Sequence, residues 1–376
     1  DLNTQPLANN YHRGKKQEEF PLSINVCTEC FHVQLSVVAN PDLMFKNYLY
    51  VSGTSNTLHQ YFSDFVKICE EYGVGTKRVL DIACNDGTQL DKFRENGWQT
   101  FGVDPAKNLH SISREKHNVV CGYWNDETAR QFNEKFDVIT AQNVFAHVHD
   151  VHDFLRLCYD NLQDSGNVFI QTSQADMILD NQFDTVYHEH LSFFNSKSMK
   201  TCANMNNFSL VDVRKTNIHG GSYVFVLKKG KHDESRSLKA IRREVDRGLY
   251  DLVTYQEYAK NCQEIVDTFR DIVADFKQNN YKIIGYGAAA KGNTFLNFSK
   301  TNLDYIVDDN DMKWGLLTPG MDTMIKNAAV LQEEDPSKIV VVPLAWNFFD
   351  EIRRKANEIT NSKLTFIKYF PKVEII

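Results

Sequence analysis

Val79-Leu80-Asp81-Ile82-Ala83-Cys84-Asn85-Asp86-Gly87 is the stretch that decides the fold. An apolar run of strand length passes into a turn of small and polar residues that closes on a glycine. Downstream, residues 89–96 carry helical spacing, 99–103 form a second strand ending at Asp104, and 119–121 a third. Residues 136–141 make a fourth strand, 151–162 a helix, and 166–172 a strand after a glycine-marked turn. Strands alternating with helices of this length predict a parallel, doubly wound sheet. Upstream, Phe62, Phe65, Val66 and Cys69 recur at helical spacing within 58–72, whereas residues 1–60 read as irregular.

A polar connector, Lys228-Lys229-Gly230-Lys231-His232-Asp233, precedes a long amphipathic stretch from Leu238 to Phe276. Its apolar spacing of three and four predicts packing helices, with breaks expected at Gly248 and Asn261. Tyr281-Lys282-Ile283-Ile284-Gly285-Tyr286-Gly287 then opens a second strand–turn–helix unit, with further strands at 305–307 and 338–343. The expected class is α/β, with a domain at 1–57, a central sheet domain at 58–232 and a second α/β domain at 233–376.

Composition narrows the possibilities. Of 376 residues, 42% are hydrophobic and 24% charged, enough apolar material for packed cores. A net charge of −7 leaves no basic footprint for nucleic acid or an anionic membrane. No apolar run approaches the roughly 20 residues of a membrane span. The eight cysteines are scattered except for Cys27 and Cys30, which fits a reducing compartment. A cytoplasmic protein is expected, and a monomer is the favoured state.

In an open α/β sheet, ligands bind beyond the carboxyl ends of the strands. Asp81, Asn85, Asp86 and Gly87 lie at the first such end, Asp104 at the second, and Gln142, Asn143 and His147 beyond the strand at 136–141. Read as residues alone, the first turn is either a nucleotide edge or a capped turn without a ligand, because Ala83 stands where a glycine is usual. Tyr187-His188-Glu189-His190 places a phenol, a carboxylate and two imidazoles together, a set able to perform acid–base chemistry or merely to satisfy itself. In an extended segment His188 would point away from its neighbours and serve as support.

These segments together resemble the S-adenosylmethionine-dependent C-methyltransferases that act on nucleotide-linked keto-deoxysugars. The resemblance runs from Gln5-Pro6-Leu7-Ala8-Asn9 and Cys27-x-x-Cys30, through Tyr48-Leu49-Tyr50-Val51-Ser52-Gly53-Thr54-Ser55, to the Tyr187–His190 block. It ends with Gly285-Tyr286-Gly287-Ala288-Ala289-Ala290-Lys291-Gly292-Asn293-Thr294 and Val307-Asp308. The resemblance implies His190 as base, with Tyr187, Glu189, His147 and Tyr48 or Tyr50 orienting the sugar or stabilising an enolate. It implies cofactor contacts at Asp81, Asn85, Gly87, Asp104, Gln142 and Asn143, and sugar contacts at Gly221, Ser222, Tyr286, Lys291 and Asn293. It also implies zinc held by two Cys-x-x-Cys pairs, of which Cys27 and Cys30 match the second. The first is then expected in a segment preceding Asp1, the alternative being a chain that has lost its zinc.

Two other enzyme classes stay open. An O- or N-methyltransferase shares the cofactor edge but needs no carbon-acid base. A nucleotide-sugar oxidoreductase needs a glycine spacing that neither turn has.

Overall fold

The computed structural model describes residues 1–40, 42–45, 56–73, 75–172 and 176–376. Tyr48 and Tyr50 lie outside the described residues.

The N-terminal part is less irregular than its prolines imply. Strands β1 (Thr4–Pro6) and β2 (Glu19–Pro21) pair antiparallel, as do β3 (Ile24–Val26) and β4 (Val33–Leu35), and a short helix α1 (Asp42–Phe45) follows. Each strand is three residues long, too short for alternation to show in the sequence.

The central domain begins with α2 (Asn56–Glu70) and alternates β5 (Arg78–Ile82), α3 (Thr88–Glu95), β6 (Gln99–Asp104), α4 (Lys107–Ser113), β7 (Asn118–Cys121), α5 (Asp126–Ala129), β8 (Phe136–Gln142), α6 (Val151–Asn161) and β9 (Leu162–Thr172). After β10 (Ser192–Phe193) and α7 (Ser196–Met205) come β11 (Phe208–Thr216) and β12 (Ser222–Lys229). The sheet order is β11-β12-β9-β8-β5-β6-β7.

Five strands are parallel as expected, but β12 runs antiparallel to both β9 and β11, so the sheet is mixed. The cause is chain length. The link from β11 to β12 is far shorter than the dozen or so residues a parallel crossover needs. Side chains alternate across β5, so Val79 packs under α2 with Phe65 and Val66 while Leu80 joins Ile139 and Leu155 on the opposite face.

α8 (Ser235–Asp246) packs on β11 and α7, and its buried Glu244 accepts from the backbone N–H and hydroxyl of Ser196. Gly248, at φ 74°, ends this stretch. The expected break at Asn261 does not occur, because α9 (Leu252–Gln278) runs through it unbroken. Asn261 instead donates to Asn181 Oδ1 at 3.3 Å, a tertiary contact that outweighs its weak helix propensity.

The last unit adds β13 (Lys282–Tyr286), α10 (Ala290–Ser299), β14 (Tyr305–Asp308), β15 (Ile325–Asn327), β16 (Ile339–Pro343), α11 (Phe349–Thr360), β17 (Thr365–Lys368) and β18 (Glu374–Ile375). Its sheet order is β15-β14-β13-β16-β17-β18, parallel except at β18.

Candidate active site

A cavity of about 450 Å³ opens at the carboxyl ends of β5, β6, β7 and β8, within the range of small-molecule sites. Asp81, Ala83 and Asn85 form one wall, Asp104 and Pro105 the second, and Tyr123 and Trp124 a third. Tyr61 and Phe62 of α2 close it from above, and Gln142, Asn143, His147 and His219 form its inner end.

Local backbone geometry makes this edge. Ala83, Asn85 and Asn143 all have positive φ, at 60°, 53° and 54°. The chain thereby turns sharply at each strand end, although no glycine stands at these positions. The Asn85 N–H donates to Asp104 Oδ2 at 2.8 Å and the Ala106 N–H to Oδ1 at 2.7 Å, which fixes the carboxylate and leaves lone pairs on each oxygen. Burial raises its pKa. Asp81 accepts from Thr140 Oγ1 at 2.6 Å, and burial raises its pKa to about 7.

Gln142 Oε1 and Asn143 Oδ1 are buried without a hydrogen-bond partner among the described residues. Such orphaned acceptors beside two carboxylates fit a ligand bearing amino and hydroxyl donors, as S-adenosylmethionine does. Gly87 does not belong to this wall. It sits at φ 85° where α3 begins, and a Cβ there would meet His117 Cδ2 at 2.9 Å.

The Tyr187–His190 block is not extended. It forms a turn in which the His190 N–H donates to the Tyr187 carbonyl at 2.9 Å. Three parts of the chain hold that turn. The Leu191 N–H donates to Ala146 O at 2.7 Å, and Leu35 N–H donates to Leu191 O at 3.0 Å. Phe183, just upstream, is buried against Phe295 and Phe370 of the C-terminal unit at ring distances of 5.6 and 5.4 Å. Aromatic pairs of this kind contribute about 0.5–1.5 kcal/mol each beyond their burial.

His190 Nδ1 lies 2.7 Å from the Thr185 carbonyl oxygen. Its ring centroid is 4.1 Å from that of Tyr187 and 5.1 Å from that of His147, which reaches the cavity. Burial lowers the pKa of His190 well below its ordinary value, with charge on His147 and Lys291 adding to the effect. Burial also lowers His147 to about 4. His188 turns away, its Nε2 3.3 Å from the Phe20 carbonyl, so its supporting role follows from the turn and not from strand alternation. Glu189 is buried and accepts from Asn9 Nδ2 at 2.6 Å, and burial raises its pKa to about 7.

None of the residues expected to bind sugar lines the cavity, but Lys291 touches a residue that does, donating to the His219 carbonyl at 3.2 Å. Its ammonium lies 5.0 Å over the Trp346 ring, and Trp346 Nε1 donates to Asp184 Oδ2 at 2.7 Å. Burial raises Asp184 to about 6. The other four lie away from the cavity wall. The Gly221 N–H and the fully buried Ser222 hydroxyl both donate to the Ile218 carbonyl, closing a turn. Tyr286 donates to Asp309 at 3.0 Å, and Asn293 Nδ2 donates to the Ala8 carbonyl at 2.8 Å.

His219 escaped the sequence reading. It occupies φ 56° and lines the cavity, and burial together with the Lys291 charge lowers its pKa to about 4. A polar residue before the paired glycines Gly220 and Gly221 was the available signal. Asp184 and Trp346 had none, being 162 positions apart.

Cys27 and Cys30 sit in the connection between β3 and β4, where the Cys27 N–H donates to the His32 carbonyl at 2.8 Å. Structural zinc takes four ligands. Among the described residues, no group of three or more His, Cys, Asp or Glu is arranged to hold a metal. The donors among the described residues do not complete a zinc site.

The second α/β unit repeats the acid-at-strand-end device. Asp308, ending β14, accepts from the Ala288 N–H at 2.6 Å and the Asn310 N–H at 2.8 Å, as Asp104 does from Ala106 and Asn85. Here, however, Tyr11 and Lys313 donate to the Ala288 carbonyl at 2.6 and 2.7 Å, so protein groups cover the edge. No helix among the described residues is long and apolar enough to cross a membrane.

Three family models match successive parts of the chain. Residues 1–45 match a family described as "Putative zinc binding domain", residues 56–213 a methyltransferase domain, and residues 217–371 a C-methyltransferase C-terminal domain. The C-methyltransferase NovU of Streptomyces niveus is 27% identical over 371 residues, covering 95% of this chain and 88% of that protein. A ubiquinone biosynthesis O-methyltransferase of Rhodopseudomonas palustris is 32% identical over 99 residues, covering 25% of this chain and 39% of that protein. A solved S-adenosylmethionine-dependent methyltransferase from Clostridium acetobutylicum aligns at a TM-score of 0.37 and 13% identity, over 46% of this chain and 92% of that one. With these three matches in this order, the chain is an S-adenosylmethionine-dependent methyltransferase whose C-terminal part matches the C-terminal domain of C-methyltransferases.

Proposed function

We propose that the protein methylates a ring carbon of a nucleotide-linked keto-deoxysugar, with His190 as the base. The observation that carries the reading is the 2.7 Å contact between His190 Nδ1 and the Thr185 carbonyl. A carbonyl only accepts, so Nδ1 bears the proton and Nε2 is the basic nitrogen. Enclosure keeps that imidazole neutral.

When bound, S-adenosylmethionine supplies an electrophilic methyl group. His190 Nε2 takes the proton from the carbon beside the sugar ketone, and the electron pair left behind moves toward the carbonyl oxygen. Tyr187 and His147 flank that ring and are the candidate donors to the resulting enolate. The enolate carbon is the nucleophile to which the cofactor's methyl group would pass. Glu189 orients the sugar, and Lys291 sets the local charge. Asp81 and Asn85 hold the amino-acid end of the cofactor and Asp104 its ribose.

The test is deuterium uptake from D2O into a dTDP-linked 4-keto-deoxysugar, followed by mass analysis after cofactor addition. Wild type should exchange and methylate, and His190→Ala should do neither. Methylation with undiminished activity in the variant would overturn the base assignment and favour transfer to oxygen or nitrogen.

A further inference from the structure

Asn9 and Glu189 lie 180 positions apart, yet Asn9 Nδ2 donates to Glu189 Oε1 at 2.6 Å. Asn9 belongs to a strap pinned to the C-terminal unit on either side of it. Asn293 Nδ2 donates to the Ala8 carbonyl at 2.8 Å, and the Tyr11 hydroxyl donates to the Ala288 carbonyl at 2.6 Å. His12 and Leu317 exchange backbone hydrogen bonds at 3.1 and 2.7 Å. The strap therefore covers the edge of β13 and β14 while its Asn9 side chain reaches the turn that carries His190.

Glu189 is 4% exposed, and Asn9 is its one hydrogen-bond donor among the described residues. A buried carboxylate without a donor takes up a proton, whereas an amide N–H favours the charged form and fixes one oxygen in place. We propose that Asn9 is a positioning residue, which aims the Glu189 carboxylate at the sugar and stabilises its charged form, so that the site is complete only with the strap docked. This rests on the role given to Glu189 above.

The surrounding groups leave Asn9 as the dominant polar influence. Tyr11 faces Glu189 and Asp308 from the strap, and Lys313 lies 5.4 Å over the Tyr11 ring. His188 and His190, adjacent in sequence, direct their rings to the Phe20 and Thr185 carbonyls instead.

The test follows the Glu189 carboxyl in the full chain by carbon-13 resonance across pH, the signal being identified by its loss in Glu189→Gln. Asn9→Ala removes only the side-chain donor, because the strap's backbone contacts remain. Its carboxyl midpoint should rise by about half a unit or more, and that of Asn9→Asp further, since two carboxylates would then share one site. Turnover of Asn9→Ala should fall about tenfold or more at neutral pH while KM for the cofactor holds, and Asn9→Gln should recover part of the loss.

An unmoved midpoint in a folded Asn9→Ala protein would overturn the inference and leave the assignment of Glu189 to the sugar site standing. Undiminished methyl transfer in Glu189→Gln would instead remove that assignment, and with it the catalytic content of the inference, whatever the midpoint does.

Discussion

His190 Nδ1 and the Thr185 carbonyl oxygen stand 2.7 Å apart inside one short turn, which holds the imidazole in the tautomer whose Nε2 is basic. Removing the imidazole as His190→Ala should lower methyl transfer by about 10²–10⁴-fold, the usual weight of a general base. Because burial pulls the pKa of His190 down, the ring stays neutral as pH drops through its ordinary titration range. The pH profile of kcat/KM should therefore show no loss attributable to this group near pH ~6.5. A limb at that position that disappears in His190→Gln would contradict the reading.

Lys291 adds a cation whose repulsion helps keep His190 and His219 neutral, although burial is the larger cause for both. In Lys291→Met both imidazoles should protonate more readily, so any acid limb of the rate profile moves to higher pH. Lys291→Arg, which keeps the charge, should restore its position. Stopped-time rate measurements across pH distinguish the two variants.

Asp81 titrates near 7 because burial disfavours its charge. A bound ammonium group would favour the ionised form, so cofactor binding should release protons at pH near 7 and weaken as pH falls. Calorimetry in buffers of differing ionisation enthalpy measures that release. Asp81→Asn should bind about tenfold or more weakly and lose the pH dependence.

Ala83 adopts φ 60°, a conformation that disfavours any side chain with a Cβ. Ala83→Gly removes that cost while adding unfolded-state entropy, and a net stabilisation of up to about 1 kcal/mol is expected. A lower denaturation midpoint in the variant would contradict the strain argument.

Gly220 has φ 86°, and a Cβ there would lie 2.6 Å from Trp346 Cη2. Gly220→Ala should displace the indole that donates to Asp184, costing roughly 1–3 kcal/mol. Tryptophan fluorescence and the thermal midpoint should change together.

Much of the central domain was legible because its strands are buried on both faces and its helices are not, a contrast that periodicity registers directly. Asp81, Asn85, Asp104, Gln142, Asn143 and His147 are all predictable as strand-end residues, and all line one cavity. Where the reading erred, a local rule met a tertiary fact. Asn261 was taken as a break although a contact with Asn181 keeps it helical, and the sheet was expected to be parallel although the short link between β11 and β12 makes its far edge antiparallel.

By itself, the sequence determined the alternation that builds two α/β units, the acids that end β6 and β14, and the order of the chemically active segments along the chain. Those depend on neighbours a few residues apart. Only the tertiary structure decided that Tyr187–His190 is a turn held by Ala146, Leu35 and the Phe183 cluster. It also decided that Asn9 meets Glu189, that Trp346 meets Asp184, and that Ser222 and Asn293 spend their polar groups on the protein itself. Each of these joins positions whose approach depends on how separate domains pack, and no local pattern of residues encodes such an approach.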